Sequence, residues 1–375
     1  MTSHSSRSSG LVSIRRAEES DSESMGFTTL SPAKPTAVYD TFWRFAAERQ
    51  AIFFRRLAGE LPPWTSDTTM QAHKFTNAYR ASDRVSQFLI RHVIYAGDQS
   101  PREVFFRVML FKLFNRIETW KFLASRLTEI STRSYSFENY DHFLRAMLAD
   151  GRPIYSGAYI MPSGKSTFGS PHKHRNHLRL LELMMEDDVA MRIADAGNMA
   201  QTFEVLSSYP TIGNFLAYQF ATDLNYSEVT TFSEMEFTIP GPGALDGIHK
   251  CFTDLGGLNE TDIIRLVADR QDEEFEQRGL EFRRLGDRPL QLIDIQNLFC
   301  EVSKYARFQH PEVGGTNDRK RIKQRFRPSS NPIDYWYPPK WSINILRPDQ
   351  DARSLINNEL TGESRGSSEF CPVEQ

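Results

Sequence analysis

Cysteine is scarce. The chain of 375 residues holds 3, at Cys251, Cys300 and Cys371. They form no CxxC pair, which excludes a disulfide framework and a thiolate zinc site. No apolar run reaches the roughly 20 residues that span a bilayer, so no membrane partner is expected. The first 30 or so residues lack an apolar h-region, so no secretory signal is expected either. With few cysteines, the expected setting is intracellular: the nucleus in a eukaryote, the host cytoplasm for a virus. Charge of one sign is also lacking. Lys and Arg total 45 against 48 Asp and Glu, a formal charge of −3. Any case for nucleic acid must therefore come from local patches.

What is present is aromatic bulk, with 27 Phe and 13 Tyr, enough to fill a large core. Residues 1–34 are Ser-rich and poor in apolar side chains, and residues 346–375 are similarly polar. Both read as disordered tails, because neither can bury enough surface to offset ordering. Between them, residues 35–345 read as one helical body. Apolar positions recur at helical spacing over 38–57, 77–95, 137–149, 176–196, 199–206, 214–224, 243–252, 260–276 and 292–305. A further helix opens at Ser100-Pro101 and is apolar nearly all round, so it is expected at the centre. Only 154–161 and 230–239 suggest extended chain. The expected class is mostly α.

The segment Tyr209-Pro210-Thr211-Ile212-Gly213-Asn214 resembles the hairpin of helix-hairpin-helix DNA glycosylases, with Thr211 in place of the usual first glycine. Such a hairpin aims free backbone N–H groups at a phosphate, here through Gly213. An ordinary turn between core helices is the alternative. In those glycosylases an acidic residue follows, and Asp223, Glu228, Glu234 and Glu236 occupy that stretch. Pro240-Gly241-Pro242-Gly243 then opens another helix. Gly241 and Gly243 either bring backbone amides to a phosphate or merely end a loop.

Several segments together carry a more specific likeness. In order they are Pro63-Trp64-Thr65-x-Asp67, Phe75-Thr76-Asn77-Ala78-Tyr79-Arg80-x-x-Asp83-Arg84, Leu113-Phe114-Asn115-Arg116, and Tyr155-Ser156-Gly157-Ala158-Tyr159-Ile160. They continue with Phe215-Leu216-Ala217-Tyr218-Gln219-Phe220-x-x-Asp223-Leu224, Gly241-Pro242-Gly243-Ala244-x-x-Gly247, and Asp294-x-Gln296-Asn297-x-x-Cys300-Glu301-x-x-Lys304-Tyr305-x-Arg307. The set resembles the alpha-glutamyl/putrescinyl thymine pyrophosphorylase group, itself related to the helical domain of 5-hydroxymethyluracil DNA kinases. The resemblance implies a compact helical domain like that of helix-hairpin-helix DNA glycosylases. It implies a thymine-hypermodification transferase that replaces the (pyro)phosphate of an activated 5-hydroxymethyluracil base in DNA with an amine. DNA and a small amine or amino acid are then the partners. A glycosylase acting on modified thymine and a non-catalytic DNA-binding module are the alternatives. Gly164-Lys165-Ser166-Thr167 ends like a P-loop, but Tyr159 stands where its first glycine is required, so no kinase module is expected.

Displacing a phosphate needs cations for the leaving group and a carboxylate to take the amine's proton. Asn77, Arg80 and Arg84 share one face if 77–95 is a single helix. Asp294, Asn297, Glu301 and Lys304 form a polar stripe on the last long helix, with Arg307 beyond. Asp294, Glu301 and Lys304 are the expected catalytic groups, and Asn77, Arg80, Arg84, Asn297 and Arg307 the substrate-binding ones. Tyr79, Tyr159 and Trp64 are aromatics available either to an extruded base or to the core. Arg319, Lys320, Arg321, Lys323 and Arg325 form a basic run suited to a phosphate backbone, to nuclear import or to bare solvent. His172, His174 and His177 suggest an exposed basic loop. No metal or cofactor is expected.

Overall fold

In the computed structural model, which describes residues 32–317, 319–328 and 335–344, helices follow one another with little sheet. Helix α1 spans Ala37–Leu57 and begins where the Thr36 hydroxyl accepts the Val38 amide. Its apolar face (Phe42, Trp43, Phe45, Ala46, Ile52, Phe53) is buried. Just before it, strand β1 (Lys34–Pro35) pairs antiparallel with β2 (Phe252–Asp254). The tail expected over 1–34 thus already has strand pairing at Lys34. Its first 31 residues, and the tail expected over 346–375, lie outside the described residues.

After α2 (Thr68–Ala72) comes the first departure from the sequence reading. The helix expected over 77–95 is broken into a 3-10 turn (Arg80–Ser82), α3 (Arg84–Leu89) and a π-helical turn (Ile90–Ile94). Side chains compete with the helix here. The Asp83 carboxylate accepts the Asn77 amide at 2.8 Å, and the Asn77 side chain donates to the Ser82 carbonyl. The Arg80 amide goes to Asp294, far along the chain, instead of to a carbonyl one turn back. Short polar side chains that capture backbone groups in this way end helices.

Helix α4 (Pro101–Phe114) is buried nearly all round, as its unbroken apolar run predicts, and ends at Asn115 in the left-handed conformation. Around it lie α5 (Ile117–Ala124), α6 (Phe137–Ala149), the single turn α7 (Lys165–Phe168), α8 (Lys173–Glu186) and α9 (Val189–Ala194). The helix expected over 176–196 is two helices, because Asp188 turns left-handed between α8 and α9. Helices α10 (Met199–Ser207) and α11 (Asn214–Leu224) pack together across the Pro210–Gly213 hairpin. Thr211 there has φ +71°, the backbone usually reserved for glycine.

Helix α12 (Pro242–Cys251) is followed by α13 (Glu260–Asp269), α14 (Gln271–Gln277) and α15 (Leu292–Gln309). A break at Arg270 divides the helix expected over 260–276. Neither 154–161 nor 230–239 forms a strand. The tightest packing is α12 on α15. A Cβ on Gly247 would collide with the Phe299 carbonyl, and one on Gly243 with the Cys300 sulfur. One connected core links buried side chains from Val38 to Tyr337.

The α12–α15 contact predicts a stability effect. Gly247→Ala should cost at least about 1–3 kcal/mol through forced overpacking. Gly314→Ala, with nothing within 4 Å of the new carbon, should change stability by under about 0.5 kcal/mol. Urea unfolding of both variants tests this; equal midpoints would contradict the packing account.

Candidate functional site

Three ionisable side chains meet in the core. Arg80 Nη1 donates to Asp223 Oδ1 at 2.7 Å, and Lys112 Nζ lies 3.0 Å from Asp223 Oδ2. Arg80 is 2% exposed, Lys112 2% and Asp223 0%. Arg80 also donates through Nε to Gln219 Oε1 and through Nη1 to the Tyr226 hydroxyl, while Lys112 donates to Asn115 Oδ1. Burial pushes the Asp223 carboxyl up, but the two cations outweigh it and hold the group below its ordinary value. For Arg80, burial is likewise outweighed by Asp223, and its pKa rises. For Lys112 burial wins over Asp223, helped by repulsion from Arg80, and its pKa falls. Two basic side chains therefore share one carboxylate in a buried setting.

Each member comes from a different element: Arg80 from the 3-10 turn, Lys112 from α4, Gln219 and Asp223 from α11. Asp294, in the first turn of α15, accepts the Arg80 amide at 2.7 Å through Oδ1 and the Gln291 amide at 3.0 Å through Oδ2. It thus caps α15 and fixes Arg80 at once. Burial raises its pKa to about 7. The motif segments around Arg80, Asn115, Asp223 and Asp294 converge here.

The rest of the α15 stripe faces a neighbouring polar group. Glu301 accepts the Thr76 amide at 2.9 Å and pairs with Lys304 at 2.7 Å. Arg49, from α1, donates to the Phe75 and Thr76 carbonyls and to Asn77 Oδ1. Asp83 sits among them, its pKa raised to about 7 by burial. The stripe is no solvated face, since Asp294 and Glu301 are buried and Asn297, Lys304 and Arg307 are partly so.

Several expected site residues lie elsewhere. Arg84 is exposed and reaches Glu118 at 3.8 Å, because the broken helix turns it away from Arg80. Arg307 Nη1 donates to the Arg321 carbonyl, next to the basic segment. Arg80, Arg84, Glu301, Lys304 and Arg307 therefore do not share one hollow. Gly241 and Gly243 are explained by close contact. A Cβ on Gly241 would lie 2.6 Å from the Phe215 ring, and Gly243 abuts Cys300. Tyr79 and Trp64 are core residues that donate to the Arg288 and Glu60 carbonyls. The three histidines are not one exposed loop. His174 meets Asp141 at 2.8 Å, His177 meets the Tyr155 hydroxyl and the Pro162 carbonyl, and only His172 is exposed. Among the described residues, no group of three or more His, Cys, Asp or Glu is placed to hold a metal. Cys300 is pushed up to about 12 by burial and by Glu301, which suits packing rather than nucleophilic attack.

A cleft of about 1040 Å³ lies apart from this chemistry, bordered by Arg44, Glu48, Asp67, Arg283, Tyr305 and His310. None of the expected site residues lines it. Within it Arg55 pairs with Glu48, and the Tyr305 hydroxyl bonds Asp67. The buried group, where the motif residues converge, is the stronger candidate.

Lys112, Gln219 and Tyr226 were not singled out from the sequence. Lys112 did leave a signal, as a cation inside the otherwise apolar run Phe111-Lys112-Leu113-Phe114. Removing the carboxylate tests the group's energetics. Asp223→Asn should lower stability by about 3–5 kcal/mol by leaving two buried cations short of a counter-charge. A loss below about 1 kcal/mol in urea unfolding would show that the cations reach water or another anion.

Residues 36–315 match the family described as 5-hmdU DNA kinase, helical domain. The chain is 28% identical over 326 residues to the 5-hmdU DNA kinase of Bacillus phage SP10, an overlap covering 82% of this chain and 51% of that protein. The chain thus spans about half the length of the curated relative it matches. No solved structure matches it. No described helix is long and apolar enough to cross a membrane. The family match takes in Arg80, Lys112, Asp223 and Asp294, and on its extent the chain belongs to the family of 5-hmdU DNA kinase helical domains.

Proposed function

We propose that this chain processes an activated 5-hydroxymethyluracil base in DNA, replacing its (pyro)phosphate with an amine. The observation that carries the reading is the convergence of two buried basic side chains, Arg80 and Lys112, on one point. Arg80 and Lys112 both point at Asp223, and a phosphate could accept charge-assisted hydrogen bonds from the pair. The pyrophosphorylase-type activity rests on the ordered motifs, and the base itself on the relative's name. In the reaction a C–N bond forms at the 5-methylene carbon while the C–O bond to the leaving group breaks. (Pyro)phosphate departs with the electron pair, and the amine nitrogen loses a proton. Asp294, with its pKa near 7, is suited to take that proton at neutral pH. In the neighbouring group Glu301 holds the Thr76 amide, and Lys304 donates to the Lys74 carbonyl.

The DNA would run over two exposed features. One is the hairpin, whose Gly213 and Asn214 are exposed at the start of α11. The other is the basic segment. Ile322 is buried, Phe326 packs edge-on against Trp64, and the chain bonds to the 72–74 backbone through Phe326 and Lys74. Arg319, Lys320, Arg321, Lys323, Arg325 and Arg327 are left exposed. From Arg321 onward the cations fall at every second position, as on one face of an extended chain.

A glycosylase reading draws support from one observation. Asp223 follows the hairpin and stays ionised, as a residue stabilising an oxocarbenium-like state would. Glu234, considered for that role from sequence, is instead paired with Arg288 at 2.7 Å.

Mass spectrometry of nucleosides separates the readings. Duplex carrying a pyrophosphorylated 5-hydroxymethyluracil, incubated with a pool of amines, should yield a base in which the amine, less one proton, stands in place of the pyrophosphate. Arg80→Met or Lys112→Met should reduce product by about 10²–10³-fold. Abasic sites would favour the glycosylase, and no mass change with any amine would overturn the transferase. The basic segment makes a second prediction. Neutralising Arg321, Lys323 and Arg325 with Gln should lower the salt dependence of DNA affinity by about 0.9 in log–log slope per lost contact. An unchanged slope would remove the segment from the DNA path.

A further inference from the structure

The group around Arg80 is roofed by an aromatic ring from an exposed loop. Tyr159 lies flat on Phe215, with ring centroids 5.7 Å apart and planes 5° from parallel. Lys112 Nζ stands 4.6 Å from the Tyr159 ring centre. The Arg80 guanidinium interacts with its hydroxyl, which burial pushes up to about 12. The backbone that delivers this ring is left-handed, with φ +54°. That is costly for a bulky residue, so its contacts must hold it there. The adjoining residues point outward: Gly157 and Ala158 are exposed and Ile160 is 69% exposed. The loop is fastened at both ends, by the Ser156 amide on the Phe114 carbonyl and by buried Met161. The Tyr159 ring is thus the inward-facing member of a short, otherwise exposed loop.

Two buried amide groups beside the ring lack partners among the described residues. Gln219 gives its Oε1 to Arg80, so its Nε2 is the unused end, and that atom has no hydrogen-bond acceptor. Gln296 Oε1 has no donor. Gln296 is beside Phe215, since a Cβ on Gly241 would meet both the Phe215 ring and the Gln296 amide. An unused donor and an unused acceptor, both buried, are expensive to leave unpaired. Phe215, Gln219 and Asp223 follow one another at four-residue spacing, so they line one face of α11.

We propose that the space now filled by the Tyr159 ring is the seat of the extruded base, and that Tyr159 is a placeholder displaced when DNA binds. The ligand class is a pyrimidine with an imide edge and an anionic substituent at carbon 5. Its ring stacks on Phe215 in place of the tyrosine. Its carbonyl and N3–H engage Gln219 and Gln296, and its phosphate reaches Lys112 and Arg80. Gly241 acquires a part in this arrangement, because only a glycine there lets Phe215 lie in position. The inference rests on the function proposed above and adds the residues that read the base.

Fluorescence polarisation with two labelled duplexes tests it, one with a single 5-phosphomethyl-deoxyuridine and the other with thymine. Removing the placeholder removes a competitor, so Tyr159→Ala and Tyr159→Leu should raise the preference for the phosphomethyl duplex by roughly five- to tenfold. Phe215→Leu and Gln219→Leu should bring the two duplexes to equal affinity. If the wild type prefers the phosphomethyl duplex and all four folded variants keep that same preference, the slot is wrong while the function stands. If the wild type binds the two duplexes equally and the Tyr159 variants do too, both fall.

Discussion

Burying ions costs several kcal/mol each unless partners replace the lost water. In this protein one carboxylate, Asp223, serves as partner to both Arg80 and Lys112. That arrangement ties a 3-10 turn, the central helix α4 and helix α11 to a single point. Asp294 extends the tie to α15 by holding the Arg80 backbone. Hydrophobic packing would allow these helices to slide against one another. The ion pairs and their directed hydrogen bonds admit one register. The cost of burying these groups sets the geometry, with both basic side chains sharing the Asp223 carboxylate. The same constraint thus shapes the fold and, in the proposed function, the recognition of an anion.

Much of this was legible from residue pattern. The helices over Phe137–Ala149 and Asn214–Leu224 match the periodic reading at both ends. In each, the apolar spacing is regular and a cap or glycine marks the start. The apolar run from Pro101 also found its central place. Where the reading failed, side-chain hydrogen bonds overrode periodicity. Asn77 and Asp83 break the helix that would have aligned Arg80 with Arg84. Glycine was ambiguous for a different reason. Gly241, Gly243 and Gly247 mark close approach, but the spacing is the same whether a phosphate or another helix approaches. Here it is Phe215, Cys300 and the Phe299 carbonyl. Long-range pairing was out of reach, because nothing local joins Lys112 to Asp223 across 111 positions.

Arg80 was found from its motif, whereas its environment was not. The α15 stripe was read as polar and functional, and its members are indeed largely buried, but they divide between two groups. Asp294 belongs with Arg80. Glu301 and Lys304 belong with Thr76 and Arg49. The outer surface separates the tasks further. In the proposed function the basic segment and the hairpin, both exposed, take the DNA backbone, while the interior side chains take a single base. A domain that holds DNA outside and reads one extruded base inside needs this separation, since exposed cations alone cannot distinguish one base from another.

The central claim is that the Arg80–Lys112–Asp223 group receives the anionic substituent of a modified base. A crystal structure of the chain with an oligonucleotide bearing 5-phosphomethyluracil tests it most directly. The account predicts the phosphate within hydrogen-bond reach of Arg80 or Lys112, with the pyrimidine ring stacked on Phe215. A base seated in the cleft between Arg44, Asp67 and Tyr305, with the buried ions unchanged, would contradict it.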